Sequence, residues 1–181
     1  MTAASARLAC ALALALLSLG ACEKGKPRHP PVDPMAVAPP PPGAPGPPTT
    51  GVSAGLPKRP EAPAFSIDRI ADAPDPINRQ PAIAPAGQPI VVQGFGLDGV
   101  AKAPGKGLDL VIDDKVFGTV YGGPRPDVAA YFKAPGLTAV GFTTTIPAGA
   151  LAVGPHTAMV RVVAADGKGY FDGRKIPFVV K

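Results

Sequence analysis

The chain has 181 residues, 26 of them proline and 22 glycine, with two cysteines, no tryptophan and a formal net charge of +5. That length suits one ordinary domain, and the crowding of proline into one stretch makes the folded part smaller than the total. From Ala64 onward 12 basic residues stand against 10 acidic ones, so most of the excess charge lies outside the prospective domain and no nucleic-acid partner is expected.

Met1 to Ala21 carries Arg7 as its only charge, a run from Leu8 to Leu19 built almost wholly of Ala and Leu, and the small residues Gly20 and Ala21 at its close. The apolar run is about a dozen residues, whereas a spanning helix needs roughly 20. Residues 1–21 therefore read as a signal peptide rather than a transmembrane anchor, with a buried helix as the competing reading. The next step rests on Leu19-Gly20-Ala21-Cys22, which resembles the lipobox of bacterial lipoproteins; an ordinary secretory signal with an incidental cysteine is the alternative.

That resemblance implies a diacylglyceryl group with palmitate-type chains on the Cys22 thiol, and cleavage that leaves Cys22 as the new N-terminus. Each buried methylene contributes about 0.8 kcal/mol and stable anchoring takes two or more chains, so the membrane becomes the first expected partner. Cys10 departs with the signal peptide and Cys22 is consumed as a thioether, which excludes disulfides, haem attachment and cysteine-based zinc sites. In the lipoprotein families whose sorting reads the next position, Asp favours inner-membrane retention; Glu23 stands there instead. The expected location is the bacterial cell envelope, at the outer membrane, facing the periplasm or the cell surface.

Residues 22–63 form the expected linker. From Glu23 to Pro63 there are 14 prolines in 41 residues, four of them consecutive from Pro39 to Pro42. Such a stretch buries too little apolar surface to offset the entropy of ordering, and in polyproline II it spans at most roughly 120 Å at about 3.1 Å per residue. Two functional alternatives compete with a plain spacer: docking of the prolines in an aromatic groove, and contact of Lys24, Lys26 and Arg28 with anionic head groups. His29 falls in the same context and is not expected to bind a ligand.

From Ala64 to Lys181 short apolar stretches recur between turn signals, the pattern of an all-β sandwich. Phe65, Ile67 and Arg69 to Ala71 suit a first, edge-like strand, and Gln88 to Gly94 a second. Leu108, Leu110 and Ile112 alternate with Asp109, Val111 and Asp113, which predicts a strand with one buried face, and Val116 to Tyr121 returns from it. Phe142, Thr144 and Ile146 mark another strand, as do Ala158, Val160, Val162 and Ala164. Asp166-Gly167 predicts a hairpin turn into a last strand from about Tyr170 to Val180, with Pro177 placing part of it at a sheet edge. About seven strands of this kind make a single immunoglobulin-like antiparallel sandwich.

Asp113 to Arg161 carries Gly118, Tyr121-Gly122, Arg125-Pro126-Asp127-Val128-Ala129-Ala130, Gly141-Phe142, Leu151, Gly154 and His156. These spaced motifs resemble the Ig-like domains of bacterial cell-surface and exported proteins, with Asp114 standing where that family's turn commonly has Gly. The resemblance implies the sandwich fold and an extracytoplasmic setting, and neither a shared ligand nor an activity.

Tyr121, Arg125, Asp127 and His156 are the candidate residues for a structural motif or a binding surface. Pro126 fixes φ, Asp127 is placed to cap the short turn that follows, and Arg125 to pair with a carboxylate or cover a loop. His156 has no second histidine and no thiol beside it in sequence, so neither a metal site nor a proton relay is expected. Ser53 and Ser66 are the only serines after residue 21 and neither lies in a nucleophile elbow. Asp109, Asp113, Asp114 and Asp127 offer oxygen ligands in no calcium-loop spacing, and they read as solvated carboxylates. Gly94, Gly96 and Gly99 approach a phosphate-loop pattern without a following helix and read as a bulged strand end.

The expected function follows: a non-enzymatic membrane-anchored lipoprotein, without cofactor or metal, whose Ig-like domain binds or positions another envelope protein or polysaccharide. The alternative is an architectural spacer without a dedicated ligand.

Overall fold

Alternation decides the architecture. Leu108, Leu110 and Ile112 are at most 1% exposed, as are Val160 and Val162 on a neighbouring strand, and Ile67, Ile70, Ile90, Val92, Phe142 and Ile146 supply the facing layer of the same apolar cluster. Two sheets that each present one such face close on each other. The structure is a computed structural model that describes residues 51–79 and 81–181. Residues 1–50, with the expected signal peptide, Cys22 and most of the linker, lie outside the described residues.

In chain order the elements are β1 (Ala64–Ile70), β2 (Ala73–Pro74), β3 (Ala82–Ala84), β4 (Ile90–Asp98), β5 (Ala103–Pro104), β6 (Gly107–Ile112), β7 (Lys115–Gly118) and β8 (Val120–Pro124). The helix α1 (Pro126–Tyr131) and a single 3-10 turn (Pro135–Leu137) precede β9 (Ala139–Ile146), β10 (Gly154–Val163), β11 (Tyr170–Asp172) and β12 (Ile176–Val180). One sheet runs β2-β1-β4-β9-β8 with β5 on β4; the other runs β3-β12-β10-β6-β7 with β11 on β10. The protein is an all-β sandwich.

The twelve strands among the described residues exceed the expected seven because two predicted strands are divided and the short β2, β3 and β5 add three more. Val116 to Tyr121 changes sheets at Thr119: β7 pairs with β6, and β8 pairs with β9. Two hydroxyls stitch the crossing, since Thr119 Oγ1 donates to the Leu108 carbonyl and Thr144 Oγ1 to the Gly118 carbonyl, each at 2.7 Å. Tyr170 to Val180 is interrupted between β11 and β12, both of which lie along β10. β12 also pairs in parallel with β3 from Phe178 onward, so the exposed Pro177 sits where no β3 partner requires its missing N–H.

The glycines of β4 have a packing reason. A Cβ on Gly94 would lie 2.0 Å from the Ser66 carbonyl oxygen, and one on Gly96 would lie 2.5 Å from Leu108 Cδ1. β4 runs on to Asp98, and the expected bulged end at Gly94 to Gly99 is corrected: the irregularity lies in β1, between Ile67 and Arg69. The unpaired residue there is Asp68, and a bulge re-aims a side chain.

Residues 51–63, which their prolines assign to the linker, lie on the sandwich. The amides of Arg59 and Tyr170 donate to the carbonyls of Tyr170 and Pro57 at 2.8 and 3.0 Å, so this strap extends the pairing of β11. The folded part therefore begins at least 13 residues before Ala64, at Gly51.

Candidate functional site

Arg125 ends β8 and caps α1, with Pro126 in the first turn. Its side chain is 2% exposed although it carries a charge. Nη1 lies 2.5 Å from Asp68 Oδ2, while Nε and Nη2 form a fork on Asp127 at 2.9 and 2.7 Å. The guanidinium also stands over the Phe95 ring, 5.1 Å from its centroid, a cation–π arrangement. Asp127 turns to Arg125 and its carboxylate also takes the first-turn amides of Asp127 and Val128, as a capping acid does.

One guanidinium facing two carboxylates leaves the cluster unequal. The forked bond from Arg125 holds Asp127 below the ordinary carboxylate range despite some burial. Burial pushes Asp68 up, and this outweighs the attraction of Arg125 and a hydrogen bond from Ser66. Burial works against the Arg125 cation, yet the two carboxylates raise it above its usual value. Sequence reasoning found Arg125 and Asp127 together and missed Asp68; the signal lay in Ile67 and Ile70, which are three residues apart yet share one core face, a break in alternation that a bulge at Asp68 explains.

Tyr121 on β8 donates its hydroxyl proton to the Gly96 carbonyl at 2.7 Å and accepts the Gly105 N–H at 3.1 Å. Burial pushes the phenol up to about 12, against the effect of the Gly105 bond. It ties β8 to β4 and to the turn beyond β5. His156, near the start of β10, stands on the Phe178 ring at 5.5 Å. Its Nδ1 lies 2.8 Å from Asp113 Oδ2 and its Nε2 lies 2.8 Å from the Ala152 carbonyl oxygen. Arg125 and Asp127 share one cluster; Tyr121 and His156 belong to two others.

Asp109 is not a solvated carboxylate. It is 0% exposed, because the strap covers the outer side of β6: Oδ1 accepts the Val52 N–H at 3.0 Å, and Oδ2 accepts the Ser53 N–H at 2.9 Å and the Ser53 hydroxyl at 2.7 Å. A signal for this was present in Val111, an apolar residue on the same face as Asp109, where open water favours polar ones. Asp113 is likewise engaged, taking the Thr157 N–H at 3.0 Å beside its contact with His156. Among the described residues no three His, Cys, Asp or Glu side chains are grouped as a metal ion would need.

Beside the strap a cavity of about 190 Å³ is lined in part by Ser53, Leu56, Val116, Arg161 and Tyr170. Arg161 lies over the Tyr170 ring at 4.2 Å and its Nε donates to Asp172 at 2.7 Å, while Lys58 Nζ reaches the other Asp172 oxygen at 3.2 Å. Arg161 in that wall and Lys58 beside it share the one Asp172 carboxylate. These clusters join sheet to strap, helix and loop, which is structural chemistry. The chain matches no protein-family model, no curated protein and no solved structure.

Proposed function

We propose that the chain is a non-enzymatic lipoprotein of the bacterial cell envelope, anchored through a lipid on Cys22, whose Ig-like sandwich binds or positions another envelope protein or polysaccharide. The observation that carries this reading is the junction at Asp109. The proline-rich stretch does not simply stop at the domain; its last residues are fastened to a sheet face by three hydrogen bonds to one buried carboxylate. The tether therefore leaves the domain from a fixed point on that sheet face, which sets the surface that lies nearest the chain leading to the anchor. The lipobox-like Leu19-Gly20-Ala21-Cys22 supports a membrane at that end, and Glu23 supports the outer membrane.

Cys22→Ser is the test of the anchor: the variant loses acyl labelling and leaves the membrane fraction, and persistent acylation overturns the reading. Cross-linking in intact envelopes tests the partner, which is expected as a reproducible, saturable adduct. One observation favours the architectural alternative. Arg59, Arg125 and Arg161 are each paired with carboxylates of the same domain, Asp166 at the surface, Asp68 and Asp127 in the interior, and Asp172, which Lys58 shares, so their hydrogen-bonding directions are already used. Absence of any saturable adduct supports that alternative.

A further inference from the structure

An imidazole with one proton has one donor nitrogen and one acceptor nitrogen; with two protons, both donate. Nδ1 of His156 faces the Asp113 carboxylate in the turn between β6 and β7, and Nε2 faces the Ala152 carbonyl in the connection between β9 and β10, each at 2.8 Å. A carboxylate and a carbonyl only accept here. The arrangement is complete with the doubly protonated ring alone.

Loss of a proton acts on one side of the ring. Asp113 is fixed independently, since it also accepts the Thr157 N–H at 3.0 Å and its own amide donates to the Thr157 carbonyl at 2.9 Å. The carboxylate keeps the remaining proton on Nδ1. Nε2 then presents a lone pair to the Ala152 carbonyl, acceptor against acceptor. The ring is 10% exposed and Ala152 lies at the surface, so the carbonyl regains a partner by turning away from the ring into water.

We propose that His156 is a proton-operated latch on residues 147–153: doubly protonated, it holds this connection against the sandwich, and on losing one proton it releases it. The connection itself contains no titratable residue. Its second hold is Lys115 on β7, whose Nζ lies 3.4 Å from the Ala150 carbonyl. Release frees Leu151 from the core it rests on and a neighbouring Val153 that is already 72% exposed.

The charged groups facing the ring are Asp113 from the turn and Lys115 from β7, and β12 contributes the uncharged Phe178 ring. Burial lowers the affinity of the ring for its second proton, but the Ala152 carbonyl and Asp113 raise it by more, with Lys115 opposing weakly. The closed form thus binds the proton more tightly than an open one, whose value is near 6.5. The latch is fully engaged below about pH 6.5 and lets go as pH rises through the higher, closed-state value.

Amide hydrogen exchange of the ¹⁵N-labelled full chain, corrected for intrinsic base catalysis, tests this at Ala150, whose N–H donates to the Pro147 carbonyl at 3.1 Å within the connection. The opening constant is expected to rise by up to about tenfold per pH unit through the His156 titration and then level off. His156→Gln, which carries no titrating proton, gives a flat profile. Asp113→Asn, which removes the charge that raises the ring, moves the midpoint to lower pH. A flat profile in the unmodified chain, or the same rise in His156→Gln, overturns the proposal. Should His156→Gln fail to fold, an unmoved midpoint in Asp113→Asn overturns it alone.

Discussion

The Ser53 hydroxyl donates to Asp109 Oδ2 at 2.7 Å across 56 residues of chain, and this contact joins the end of the proline-rich stretch to the middle of a core strand. Hydrogen bonds to a charged group contribute about 1.5–3 kcal/mol each. Ser53→Ala is therefore expected to destabilise by roughly that amount in urea unfolding. Asp109→Ala removes all three bonds, and limited proteolysis should then cut within residues 51–56 while β6 stays protected. An uncut strap in Asp109→Ala would show that apolar contact holds it.

Arg125 supports two carboxylates, one of them deeply buried. Its replacement by Met leaves Asp68 buried without a counter-charge, and breaking such a pair costs about 3–5 kcal/mol. Adding Asp68→Asn to Arg125→Met should restore part of that loss, which chemical denaturation of the double variant measures. Arg125→Lys is expected to behave nearly as badly as Met, since an ammonium cannot fork onto Asp127.

Tyr121→Phe removes only the hydroxyl that bridges Gly96 and Gly105. The lost bonds leave one carbonyl and one N–H unpartnered, at a cost of about 1–3 kcal/mol. The exchange rate of the Gly105 amide should rise in the same variant. Unchanged Gly105 protection would sink the bridging role.

Asp127 contributes to the acid limb, beside Asp113 and Asp166, whose carboxyls are also held low by their hydrogen bonds. Its folded-state pKa lies below the ordinary 3.8, so its stabilising effect is present above that value and is lost as pH falls through the lower, folded value. Melting temperature should decline over this window in the unmodified protein. Asp127→Asn is expected to lower stability at neutral pH and to make that decline shallower, with the share due to Asp113 and Asp166 remaining.

Much of the sandwich was legible in the residues. Leu108 to Ile112 and Ala158 to Val162 alternate with period two, and they form adjacent core strands. Asp166-Gly167 carries the expected turn, with Gly167 at φ 71°. The candidate site was read less completely: Arg125 and Asp127 were found as neighbours, but Asp68 lies 57 residues from Arg125. Its approach depends on one unpaired residue in β1. Asp109 was assigned to water because alternation reports which residues share a face, and a face on the outside of a sheet is wet only if nothing covers it.

By itself the sequence determined the period-two pattern, the apolar face of each core strand and the positions of several turns, because these depend on neighbours a few residues apart. Only the tertiary structure decided that Thr119 marks a change of sheet, that Gly51 to Pro63 straps the domain, and that His156 stands between two acceptors. Those outcomes turn on register and covering between distant segments, where a shift of one residue exchanges a buried partner for solvent.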